Sequence, residues 1–179
     1  MKRTQQMRRS GTLIILCAAV LLLNTAGFAA DELEQKKELD AQRFAELDKY
    51  WAEVSRSVRE GDFEGYKATC HSEGVLVAGT RKNSQPLSVA LARWEADFIA
   101  TKSGKIKANV EFRFSQRIGD ESTAHETGIF RYSTVDSEGK SVAEFIHFEG
   151  LLVKRQGNWK ILMEYQKSKA ELKDWQGLK

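Results

Sequence analysis

Ile106-Lys-Ala-Asn-Val-Glu-Phe-Arg-Phe-Ser115 is the stretch on which the fold turns. Ile106, Ala108, Val110, Phe112 and Phe114 alternate with Lys107, Asn109, Glu111, Arg113 and Ser115. That two-residue period predicts a strand with one buried face. Toward the C-terminus, turn-forming pairs divide the chain into further strands. Gly119-Asp120 leads into 122–135, Asp136-Ser-Glu-Gly139 into 140–155, and Gln156-Gly157 into 159–169. Glycine supplies positive φ and aspartate accepts local backbone hydrogen bonds, so each break reads as a hairpin. Toward the N-terminus the period changes. Phe44, Leu47, Trp51, Val54 and Val58 recur every three to four residues, the stripe of an amphipathic helix. Gly61-Asp62 ends it, and Asp62 caps a short second helix reaching about Cys70. Gly74-Val-Leu-Val-Ala-Gly79 is a short strand and a polar loop follows. Pro86 then opens a third helix with Leu87, Leu91, Trp94 and Phe98 on one face, and Gly104 closes it. Three helices followed by three consecutive antiparallel hairpins predict an α+β domain, with helices covering one face of a curled sheet.

The first thirty residues read differently. A basic head (Lys2, Arg3, Arg8, Arg9) precedes an apolar run at 13–23 and a small-residue exit at Ala29-Ala30. This is the tripartite pattern of a secretory signal, and the run is well short of the roughly 20 residues needed to span a bilayer. Cys17 follows Leu16 within that run, which argues against lipidation. The expected organisation is a signal peptide at 1–30, a charged helical extension at 31–42 that projects from the domain, the domain at 43–170 and a surface tail at 171–179. The expected location is exported, periplasmic or secreted, with no stable membrane span after cleavage. Removing four basic residues and no acids leaves 24 basic against 25 acidic, so the alkaline balance of the whole chain is no argument for a nucleic-acid partner. Cys70 alone remains after processing, which excludes a disulfide within the mature chain.

The order of elements and several local signatures resemble the SnoaL-like branch of the nuclear-transport-factor-2-like superfamily. The matching residues are Trp51 with Gly61-Asp62, Ala124 with Thr127-Gly128, Val153-Lys-Arg-Gln-Gly-Asn-Trp159-Lys-Ile, and Ser168, over about residues 40–170. The resemblance implies a cone-shaped curled antiparallel sheet packed on three N-terminal helices, as in cystatin-like folds, with an interior pocket and often a homodimer formed through the sheet. It implies no single activity, because isomerases, dehydratases, hydrolases, cyclases and non-catalytic binding domains share the scaffold. The isomerase subgroup needs a tyrosine where this chain has Val54 and a base aspartate where it has Ala78. Its third acid falls at Glu149 or Gly150. That reaction is not carried over.

Pairing the strands directly from their turns places Arg113, Glu126, Glu149 and Glu164 in a row, with His147 beside Glu149. Carboxylates this close inside a dry pocket would not all ionise, and could supply a general acid and a general base. The opposite face, with Phe112, Phe148, Ile161, Met163 and Tyr165, is the more apolar one and is expected to meet the helices, leaving the acids outside. A one-residue change of register exchanges the two faces. In that arrangement the pocket is lined by Trp51, Trp94, Phe98, His125, Thr127, Met163 and Tyr165. The catalytic candidates, if the faces exchange, are Glu126, His147, Glu149 and Glu164. His71, His125 and His147 lie on separate elements without metal-ligand spacing, so no metal and no cofactor is expected. The sequence leaves three functions open: an exported pocket domain that binds a small apolar molecule or serves in assembly, a cofactor-independent lyase, isomerase or hydrolase, and a structural envelope homodimer joined through the outer sheet face.

Overall fold

The computed structural model describes residues 12–178, with side chains from Asp31 onward. The expected export signal therefore has its first eleven residues, and all its side chains, outside the described residues. Helix α1 (Thr12–Glu60) is followed by α2 (Phe63–Ala68), β1 (Cys70–Ala78), a 3-10 turn at Gly79–Arg81, and β2 (Asn83–Pro86). Then come α3 (Leu87–Lys102), β3 (Ile106–Gly119), β4 (Thr123–Asp136), β5 (Ser141–Arg155), β6 (Asn158–Lys169) and α4 (Leu172–Gly177). Two compact units divide between Ala41 and Gln42. In the first, residues 31–39 are helical and exposed. The second is the α+β domain. Among the described residues no helix is long and apolar enough to cross a membrane.

The six strands form one curled, unclosed sheet in the order β2-β1-β6-β5-β4-β3. The expected hairpins β3–β4, β4–β5 and β5–β6 are antiparallel. β1 runs parallel to β6, and the expected polar loop contains β2, which pairs with β1 at the edge. A four-residue strand with one polar face carries too little periodicity to be distinguished from a loop. On the concave side, the apolar stripe of α1 buries Leu47, Trp51, Val54 and Val58 against Phe148, Leu152 and Ile161. Gly61 closes α1 at φ +67°, and a Cβ there would lie 2.4 Å from the Lys102 backbone nitrogen, so glycine is required both for the turn and for the approach of α3. Asp62 then caps α2, accepting from the Gly65 amide at 3.0 Å.

Two turns and three irregular pairings revise the expected register. At the β4–β5 turn, Asp136 Oδ1 accepts from the amides of Glu138 and Lys140, and the strands close with Val135 opposite Ser141 rather than Lys140. The β3–β4 turn is wider than expected, with Gly119 opposite Ala124 and Ile118 opposite His125 rather than Glu121. The pairing then shifts between Phe114 and Gln116, while that of β5 with β6 shifts at Leu151/Leu152 and again at His147/Phe148. Each irregular pairing moves the residues beyond it by one, and therefore to the other face. Glu126 thus lies opposite Gly150, which in turn lies opposite Glu164. Glu149 lies between Thr127 and Tyr165, and Arg113 faces Ile129. The expected row of Arg113, Glu126, Glu149 and Glu164 does not form.

The segment expected to be a surface tail is also different. Residues 172–177 form α4 on the convex face. It is held by a capping box between Glu171 and Asp174, with Trp175 buried against Phe145 at 5.8 Å and under the Arg113 guanidinium at 4.4 Å. Arg113 also donates to the carbonyls of Trp175 and Leu178.

Candidate functional site

Between the helices and the concave face lies a partly open cavity of about 280 Å³. Each element contributes through its own period. α1 presents Tyr50, Trp51, Val54 and Val58, and α3 presents Trp94, Asp97, Phe98 and Thr101 one turn apart. Alternate residues of the strands complete the wall: Ala108, Val110 and Phe112 from β3, Phe130 and Tyr132 from β4, and Glu144, Ile146 and Phe148 from β5. Tyr66, Cys70, Ile161, Glu164 and Gln166 close the far side. Asp97 and Glu144 are exposed and mark the mouth, whereas Phe98 and Phe148 are buried.

The polar groups divide by depth. Glu164 accepts a hydrogen bond from Gln166 Nε2 at 2.6 Å. Burial raises its pKa above the ordinary carboxylate value, with the Gln166 bond acting in the opposite direction. Burial, and after it the charge of Glu164, pushes the Tyr66 phenol well above its usual range. The Cys70 thiol is pushed up to about 12 by burial and then by Glu164. Tyr50 is likewise raised, first by burial, and its hydroxyl donates to the Thr69 carbonyl at 3.2 Å. Glu164 is therefore the acid of the interior end, and the tyrosines and the thiol around it remain protonated at neutral pH.

Glu126 is fully buried and faces the cone but does not line the cavity. It accepts from the Trp51 indole nitrogen and from Arg117, which also meets Asp48 at 2.6 Å and lies over Phe44 and Phe114. These bonds hold Trp51 in the wall, where its ring contacts Phe112 at 4.4 Å and Phe148 at 5.7 Å.

Of the residues expected in the pocket, Trp51, Trp94 and Phe98 line it. His125 and Thr127 alternate with the inward Glu126, and Met163 and Tyr165 flank the inward Glu164, so all four face away. His125 Nε2 instead meets Glu149 at 3.2 Å, and Lys167 reaches Glu149 at 2.6 Å. The Lys167 ammonium, with a smaller contribution from His125, holds the Glu149 carboxyl below its usual range. His147 lies 3.7 Å from Asp174 on the same convex face. The four acid–base candidates are therefore split between the faces, Glu126 and Glu164 inward, His147 and Glu149 outward. Gly150, not Glu149, faces the cone, and a Cβ there would sit 3.6 Å from the Trp51 ring. Among the described residues no group of three or more His, Cys, Asp or Glu side chains converges for a metal. Sequence reasoning did not single out Tyr50, Tyr66, Tyr132 or Gln166. Only Tyr132 carried a usable signal, its alternation with Phe130.

The sequence profile of the calcium/calmodulin-dependent protein kinase II association domain matches residues 43–170. No curated protein matches the chain. Among solved structures, a conserved protein from Planctomyces limnophilus DSM 3776 superposes with a TM-score of 0.58 at 11% identity, over 70% of this chain and 94% of that one. A nuclear-transport-factor-2-like protein of unknown function from Shewanella oneidensis MR-1 gives 0.53 at 12%, over 69% and 97%. A ketosteroid isomerase-like protein from Erwinia carotovora atroseptica SCRI1043 gives 0.52 at 15%, over 71% and 95%. At these identities the likeness establishes the nuclear-transport-factor-2-like fold and no shared chemistry.

Proposed function

Because the chain belongs to the calcium/calmodulin-dependent protein kinase II association domain family, we propose that its cone works as a binding pocket for one small, largely apolar molecule. The observation that carries this reading is the cavity of about 280 Å³, walled by aromatic and aliphatic side chains, with Glu164 and Gln166 as polar groups at its interior end. An apolar wall with a few convergent polar groups is the usual composition of a small-molecule site. Native mass spectrometry of the protein purified from its own host tests the reading. A retained ligand is expected, and Ala108→Phe, which fills the cavity from β3, is expected to lose it. A native protein that carries nothing, together with a variant that binds a panel of small apolar molecules as well as wild type, refutes it.

A second reading is acid–base catalysis without a cofactor, favoured by the pKa of Glu164, which burial moves in the direction a general acid requires. Turnover of a bound carbonyl or hydroxyl compound, lost in Glu164→Gln with binding retained, separates catalysis from binding. Assembly is compatible with either reading, since the family name itself denotes association. We place the dimer contact on the convex sheet face around Leu151, Met163 and Tyr165, with the subunit count read from the same native spectra. Export is proposed on the pattern of residues 1–30, and N-terminal sequencing of the mature protein tests it.

A further inference from the structure

The charge in the cavity is one-sided. Among the described lining residues there are three carboxylates, Asp97 and Glu144 at the mouth and Glu164 inside, and no Lys, Arg or His. Lys169 approaches Glu144 from the exposed side at 3.4 Å and partly neutralises it, so Asp97 and Glu164 carry the asymmetry. The walls are dense in aromatic rings, and two pairs of them stand close to right angles. Tyr66 and Trp94 meet at 82° with centroids 6.2 Å apart, and Tyr50 and Trp51 meet at 82° and 5.0 Å. Perpendicular rings form corners in which a bound group meets the face of one ring and the edge of another. The face of an aromatic ring is its electronegative side and attracts a cation. A neutral apolar ligand needs neither the acids nor the tyrosines, and an anion would be repelled by them.

Building on the pocket reading, we propose that the natural ligand is a small organic cation, an amine or quaternary ammonium on an apolar body. Its charged end sits among Glu164, Tyr66 and Trp94, and Asp97 attracts it at the mouth. Two features separate this from a generic greasy site. Among the described residues Glu164 is the one carboxylate that lines the cavity away from its mouth, and Gln166 holds one of its oxygens through a neutral amide. Trp94 is half-buried on α3, lines the cavity within one helical turn of Asp97 and contacts Tyr66, so it offers an aromatic ring to the cation.

The test is a titration of the full chain, followed by tryptophan fluorescence, with three phenyl probes that differ in charge. These are phenyltrimethylammonium, its neutral carbon isostere tert-butylbenzene, and the anion benzoate. The cation is expected to bind about tenfold more tightly than the neutral isostere, and benzoate not at all. Glu164→Gln preserves shape and is expected to remove that preference while leaving tert-butylbenzene binding intact. Trp94→Leu, at a half-buried position, should weaken the cation alone and serves if the first variant fails to fold. Equal or tighter binding of tert-butylbenzene or benzoate overturns the cation assignment and leaves the pocket reading standing. If no probe binds and Ala108→Phe behaves as wild type, both readings fall.

Discussion

Replacing Glu126 by alanine removes the one acceptor shared by Trp51 and Arg117 in a fully buried position. Breaking a buried ion pair from one side costs about 3–5 kcal/mol, because the remaining charge stays desolvated. Arg117 retains Asp48 at 2.6 Å and is 18% exposed, which places the loss at the lower end, about 3 kcal/mol. For a domain of this size that corresponds to roughly 10 °C in melting temperature. Trp51 also loses its acceptor while remaining in the cavity wall, so its emission should shift together with the stability change. The double variant Glu126→Leu, Arg117→Met removes both charges, and should recover most of the loss, since an apolar pair of similar volume replaces a buried pair at little cost. Urea unfolding monitored by fluorescence and by circular dichroism measures all three proteins. If Glu126→Ala loses less than about 1 kcal/mol, or if the double variant is no more stable than the single one, the buried pair does not organise the wall as argued.

Glu164 gives a pH prediction of fixed sign. Its folded-state pKa lies above the ordinary 4.5, so the fold favours the protonated acid. Its contribution is complete below 4.5 and is lost as pH rises from there through the raised folded value. The difference in urea midpoint between wild type and Glu164→Gln should therefore move against wild type over that window, and a flat difference refutes the burial of the acid. Cys70, pushed up to about 12, should resist iodoacetamide at pH 8 in the native protein and react promptly in urea, as mass spectrometry would show. Gly61→Ala must hold φ near +67° against the Lys102 backbone, and is expected to lower stability by at least about 1–2 kcal/mol in thermal melts. Trp175→Ala uncovers Phe145 and deletes the Arg113 contact. It should cost about 3 kcal/mol, whereas a tail without structural role would tolerate it.

Much of the domain was legible because it depends on local periods. The helical stripe through Trp51 and Val58, the alternation of Ile106 to Phe114, and the Gly61-Asp62 boundary each follow from interactions within a few residues of chain. Trp94 and Phe98 were readable as cavity wall for the same reason. α4 was not readable, because six residues around Trp175 form a helix only when Phe145 and Arg113 offer a surface to cover.

The candidate site shows where that legibility ends. Composition and spacing alone determined that acids and aromatic rings share the strands β3 to β6, and that three hairpins curl over amphipathic helices. Which acids enter the cone was decided by turns closed on Asp120 and Asp136 and by irregular pairings, among them those near Ser115 and Leu162. A strand exposes its faces with a period of two, so each inserted residue inverts everything beyond it. The free energy that selects the insertion comes from packing Trp51, Phe148 and Ile161 together across the whole domain. That packing turned Glu126 and Glu164 inward and Glu149 and His147 outward, and no local pattern encodes it.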